Sequence, residues 1–130
     1  MKYLIILIIL VFVFGIFIIL KFKKQKKLDW KSKKEILKFF DNIKKGRSSK
    51  EQIIDYDKLY HKILNKLWYS WDFGSILKSN PKIIKDINKI WELHKLRNKL
   101  VHDFDLLEEK ILKKKSLEYE KIISDLLKKI

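Results

Sequence analysis

Two of the three histidines in this 130-residue chain flank one of its two arginines. All lie in the stretch "HKLRNKLVHD", residues 94–103, which carries His94, Arg97, Asn98 and His102. An imidazole titrates near neutrality, so either histidine could take or give a proton at physiological pH. A guanidinium stays charged and offers a planar fork that grips a carboxylate or a phosphate at two points. Lysine fills 29 of the 31 basic positions, so an arginine at position 97 points to a use of that fork. On a helix, His94, Asn98 and His102 fall at i, i+4 and i+8 and stack one turn apart, with Arg97 beside the row.

The helix that carries them must decide whether they face water. The pattern predicts a helix from about residue 80 to Val101, with Asn80 as N-cap and Pro81 in its first turn. Ile83, Ile87, Ile90, Trp91 and Val101 define its apolar sector, and Lys85, Asn88, Lys89, Glu92, Lys95 and Lys99 its wet side. His94, Arg97, Asn98 and His102 all project within the apolar sector. An inward guanidinium is costly unless it is paired, so a carboxylate is expected opposite. The preceding helix supplies one: Asp57 shares a sector with Ile53, Tyr60, Ile63, Leu64, Leu67 and Trp68, whereas Asp55 points to water. Asp57 is therefore expected to face Arg97 or one of the histidines. His61 lies at the margin of that sector and is given no role.

Other chemistries are poorly served. Without cysteine there is no disulfide, thiolate nucleophile or cysteine metal site. No glycine-rich phosphate loop occurs, and no His-x-x-x-His or His-Glu-x-x-His pair. His94 and His102 are two turns apart, so neither a metal nor another cofactor is expected. Glu108 and Glu109 are adjacent and diverge on a helix; they read as first-turn acids. The formal charge of +15 names no partner by itself, because lysine, isoleucine and asparagine are also enriched by AT-rich coding.

The chain is long enough for one domain. Three glycines, one proline and many straight-chain residues favour helix, and no alternating strand pattern appears. The first amphipathic helix is expected over about 29–45, ended by "GRSS". A second is expected over about 49–70, with Ser49 and Gln52 as a capping box. "SWDFGSILKSN" reads as a connector with room for one helical turn. After the helix over about 80–101, "HDFD" interrupts. A last helix covers about 106–129, with a break near Ser116. The fold expected is all-α, a bundle of four to five helices, with Trp68, Trp71, Trp91, Phe39, Phe40 and Tyr60 in its shared core.

Ahead of this bundle, Tyr3 to Leu20 form an unbroken uncharged run, "YLIILIILVFVFGIFIIL". Eighteen residues rise about 27 Å as a helix, enough to span the hydrocarbon core. The run has no polar face, exceeds a signal-peptide core in length, and ends in "KFKKQKK" rather than at a small-residue cleavage site. It is read as a retained anchor over 1–21, meeting membrane lipid through 3–20. A basic linker follows over 22–28, and then the bundle over 29–130. Lys2 alone precedes the span; Lys21, Lys23, Lys24, Lys26 and Lys27 follow it. The positive-inside rule then puts the N-terminus outside and the bundle in the cytoplasm. The same lysines suit anionic head groups. Without the six lysines at 2, 21, 23, 24, 26 and 27 the formal charge is still +9.

"RNKLVH", Arg97 to His102, resembles the R-N-x-x-x-H signature of HEPN domains. The longer stretch "IWELHKLRNKLVHD" resembles small HEPN-like proteins of unknown function with an N-terminal membrane anchor. The likeness covers about the last 80 to 100 residues of the chain, and its specific part is Arg97, Asn98 and His102. It implies a small helical bundle that often forms a homodimer. In members that are ribonucleases, the motif residues of two subunits meet at the dimer interface and cleave RNA without a metal, with the 2′-hydroxyl as nucleophile. By that resemblance His102 would be the acid–base group, Arg97 would stabilise transition-state charge, and Asn98 would orient the histidine or bind phosphate. His94 is outside the signature and would be a helper or a satisfied core histidine. Three readings follow: a membrane-tethered scaffolding or interaction module in which Arg97 and Asp57 hold helices in register, a metal-independent endoribonuclease of toxin or defence type, and a non-catalytic RNA or nucleotide binder.

Overall fold

The computed structural model describes residues 1–22, 27–102 and 107–130, and among them all regular structure is helix. In chain order these are α1 (Lys2–Phe22), α2 (Trp30–Lys44), α3 (Ser49–Lys66), α4 (Phe73–Lys78), α5 (Ile87–His102) and α6 (Glu109–Leu127). Among the described residues one helix, α1, is long and apolar enough to cross a membrane, and its large side chains from Tyr3 to Ile19 lie outside the core. The expected all-α architecture, an apolar N-terminal helix followed by a bundle, is what the chain adopts. Of the lysines after the span, Lys23, Lys24 and Lys26 lie outside the described residues, as do residues 103–105 of "HDFD" and Leu106.

Local chemistry sets the helix starts. Asp29 caps α2, its carboxylate accepting from the Ser32 N–H at 2.9 Å. The box that opens α3 is Ser48 with Glu51, one residue earlier than the expected Ser49 and Gln52. Ser48 is extended and its N–H donates to Glu51 Oε2 at 2.9 Å. Ser49 and Gln52 are used in packing instead, donating to Glu109 and accepting from Ser116 Oγ. The connector contains α4, capped by Asp72.

Helix α5 starts later than expected. Asn80 has φ +47°, which is not N-cap geometry, and Pro81 accepts a turn bond from the Ile84 N–H. Asp86 takes the capping role, accepting from the Lys89 N–H at 2.9 Å. The expected break in α6 does not occur. Ser116 is buried and donates to Gln52 Oε1 at 2.6 Å, so its hydroxyl does not compete for its own helix backbone.

Helix α3 is central, packing against α2, α5 and α6. It pairs with α2 as an antiparallel hairpin that turns at Gly46, whose φ of +73° suits a residue without Cβ. It runs parallel to α6, since Ser49, Gln52 and Tyr56 meet Glu109, Ser116 and Glu120 in that order. Helix α5 runs antiparallel to α6: Lys89 pairs with Glu118, and Lys115 with Glu92. Tyr56, Tyr60, Tyr119, Phe40 and Phe73 fill the middle among aliphatic side chains. Trp68 and Trp71 do not join them as expected. They are 81% and 62% exposed, because α3 ends at Lys66 and the last inward side chain of that turn is Leu67. Phe39 is also exposed and Trp91 is half-buried.

Candidate functional site

The middle turns of α3 and α5 meet at Asp57. This carboxylate is only 3% exposed, one turn below Tyr60 in a helix face otherwise made of apolar side chains and tyrosines. Such burial is unfavourable for a charge unless donors surround it. Three residues supply them. The His94 Nδ1–H donates to Asp57 Oδ1 at 3.0 Å, with Oδ2 at 3.2 Å. The Tyr119 hydroxyl, from α6, donates to Oδ1 at 2.8 Å. Arg97 Nε stands 3.6 Å from Oδ2, an ion pair longer than a hydrogen bond.

Asn98 completes a ring. Its Oδ1 accepts from Arg97 Nη1 at 2.8 Å, which leaves its Nδ2 to donate to His94 Nε2 at 3.4 Å. That orientation fixes the imidazole: a donor at Nδ1 toward the carboxylate, an acceptor at Nε2 toward the amide. Asp57, His94, Asn98 and Arg97 thus form a closed polar circuit between two helices. One donor is left over. Arg97 Nε is buried and has no hydrogen-bond acceptor.

Rings wall the circuit. Phe73 meets His94 edge-on with centroids 4.7 Å apart, and Trp91 does so at 6.1 Å. His61 stacks on the far face of the same cluster, parallel to Phe73 at 5.3 Å, and its Nε2–H donates to the Trp71 backbone oxygen at 3.0 Å. Burial first, and then the negative charge of Asp57, hold the Tyr119 hydroxyl well above the ordinary tyrosine value. It therefore remains a donor through the physiological range.

The structure brings His94, Arg97, Asn98 and Asp57 together and leaves His102 apart. His102 is exposed in the last turn of α5. It does not project into the apolar sector as expected. The packed face of α5 ends at Leu100, and Val101 is exposed as well. Arg97 is intermediate, its side chain 25% exposed. Sequence reasoning missed Tyr119. The signal was present: Leu112, Ser116, Tyr119, Ile123 and Leu126 recur at helical spacing, and a buried tyrosine hydroxyl needs a partner. Among the described residues, no group of three or more histidine and carboxylate side chains is gathered for a metal ion.

Chemically, the arrangement is a carboxylate-oriented imidazole whose second nitrogen is occupied by an amide. It holds a tautomer and an orientation, and it exposes one edge, the guanidinium. No family model, curated protein or solved structure matches the chain.

Proposed function

We propose that the chain is a membrane-anchored, HEPN-like helical module with a scaffolding or interaction role on the cytoplasmic side. One observation carries this reading: the polar side chains gathered between α3 and α5 are spent on one another. Asp57 and His94 are joined at 3.0 Å, Asn98 takes the free nitrogen of His94, and Arg97 takes the carbonyl of Asn98. Groups so engaged set the register of α3 against α5, a use of buried polar networks that requires no substrate. The resemblance of "RNKLVH" to the HEPN signature supports the type of module, and the lysines after α1 support the cytoplasmic placement.

A second reading, a metal-independent endoribonuclease, draws on the exposed His102 standing five residues from the partly exposed guanidinium of Arg97 on one helix. In a homodimer two such pairs would supply an acid–base group and a charge stabiliser for attack by a 2′-hydroxyl. The test is incubation of the full chain, in detergent micelles, with RNA in the presence of EDTA. The module reading expects intact RNA from a folded protein. Cleavage that disappears in His102→Ala overturns it in favour of the nuclease. Binding without cleavage, weakening steeply with salt as counterions are released, would instead assign an RNA-binding role.

A further inference from the structure

Two of the most exposed large side chains outside α1 are tryptophans at one end of the bundle. Trp30 and Trp68 are each 81% exposed. Trp30 opens α2 and Trp68 follows the end of α3, and the two helices are antiparallel. Lys62 on α3 bonds Glu35 on α2 at 2.6 Å, and the charge of Lys66 reaches the Asp29 carboxylate. These pairs put the start of α2 level with the end of α3. Because α6 runs parallel to α3, its last turn, with Lys128, reaches the same end.

The backbone at Trp68 is a second, independent observation. Its φ is +71°, the left-handed region that a Cβ disfavours. The Trp68 N–H bonds Asn65 O at 3.0 Å and the Tyr69 N–H bonds Leu64 O at 3.1 Å, a helix ending that ordinarily takes glycine. Tryptophan here accepts strain and gains almost no packing within the chain. Packing within the chain therefore gives no reason for a tryptophan at this position.

We infer that this end of the bundle lies against the head-group zone of the bilayer, with the indoles of Trp30 and Trp68 seated at the boundary between head groups and acyl chains. The inference rests on α1 as a membrane span and holds whichever side of the membrane the bundle occupies. Only seven residues separate Phe22 from Trp30, so Trp30 stands within about 28 Å of the end of the span even if they are fully extended. An indole has an apolar body and an N–H donor, which is why tryptophan collects at that boundary. Within four residues of Trp30 or Trp68, the described chain has Lys27, Lys31, Lys33, Lys34 and Lys66 against Asp29 and Asp72. The occupant that fits is therefore a surface of anionic phospholipid. The other end of α5, with His102, then faces solution.

The test is tryptophan emission from the full chain in vesicles of phosphatidylcholine and phosphatidylglycerol, with and without bromine on the upper acyl chain. Bromine is expected to quench the emission. The double variant Trp30→Phe with Trp68→Phe should lose most of that quenching, and Trp91→Phe should keep it. Circular dichroism establishes that each variant is folded. Co-flotation with the vesicles reports the span separately. A chain that floats, yet is quenched as strongly in the double variant as without substitution, overturns the docking while leaving the span. A chain that does not float overturns both. Floating with blue-shifted emission but no bromine quenching assigns the indoles to a protein contact and also overturns it.

Discussion

Asp57 and His94 join the middle of α3 to the middle of α5 through a hydrogen bond of 3.0 Å, while Arg97 approaches the same carboxylate only to 3.6 Å and without a hydrogen bond. His94, which lies outside "RNKLVH", is thus the nearer partner of the buried acid, and Arg97, inside it, is the looser one.

Double-mutant cycles should reproduce that order. Asp57→Asn combined with His94→Gln is expected to show a coupling of about 2 kcal/mol, near the upper part of the range for contacting residues. Asp57→Asn with Arg97→Gln is expected to show less than half of that. Chemical denaturation of the three single and two double variants, beside the parent chain, measures both. Equal couplings would mean that the ion pair, despite its length, holds the carboxylate as firmly as the imidazole does.

Tyr119 is the donor from the third helix. Tyr119→Phe removes a 2.8 Å bond to a buried carboxylate and leaves the ring in place. The expected loss is about 2 kcal/mol, the scale for a hydrogen bond to a charged group. Urea midpoints of the variant and the parent chain check it. A change of a few tenths would show that His94 and Arg97 satisfy Asp57 without help.

The buried tyrosines set an alkaline limit. Burial is the first cause that raises Tyr56, Tyr60 and Tyr119, with Glu120 adding to it at Tyr56 and Asp57 at Tyr119. A raised acid favours the folded state as long as the unfolded chain would not yet ionise. Their contribution is whole below pH 10.0 and is lost as the pH rises from there toward their raised values. Lys44, Lys89 and Lys115, raised first by their bonds to Glu120 and Glu92, act in the same direction. Thermal midpoints should therefore be level near neutrality and fall above pH 10. Tyr60→Phe should flatten the fall, and an unchanged slope would remove Tyr60 from the account.

Trp68 offers a trade between stability and surface. Trp68→Gly relieves a left-handed φ of +71° at a side chain that packs on almost nothing. A gain of about 1 kcal/mol in fold stability is expected, the cost per residue of holding a Cβ in that region. A loss of stability would show that the indole is packed more firmly than its exposure indicates.

Much of the fold was legible because helix is a local decision. The apolar run of α1, the onset of a helix near residue 29 and the helical spacing of Ile53, Tyr60, Ile63 and Leu64 need no knowledge of the rest of the chain. The inward turn of Asp57 was legible for the same reason. Three kinds of feature were not. The start of α5 depended on Asn80 adopting a positive φ, which spacing does not reveal. The exposure of Trp68 and Trp71 depended on where α3 stops, and one residue past the last turn changes a core ring into a surface one. The placement of His102 depended on where the packed face of α5 ends, which is set by its neighbours and not by its own pattern. Tyr119 lay 62 residues from Asp57, beyond the reach of any local argument.

The central position of α3 bears on the order in which the molecule assembles. The Lys62–Glu35 pair of the α2–α3 hairpin closes a separation of 27 residues, the His94–Asp57 bond one of 37, and the Tyr119–Asp57 bond one of 62. Loop closure grows costlier with separation, and distant contacts are rewarded only after that cost is met. In a hairpin of α2 and α3 alone Asp57 faces water, since the groups that cover it come from α5 and α6. The acid becomes costly only when those helices close over it, so a closure that fails to bring His94 and Tyr119 into place is disfavoured.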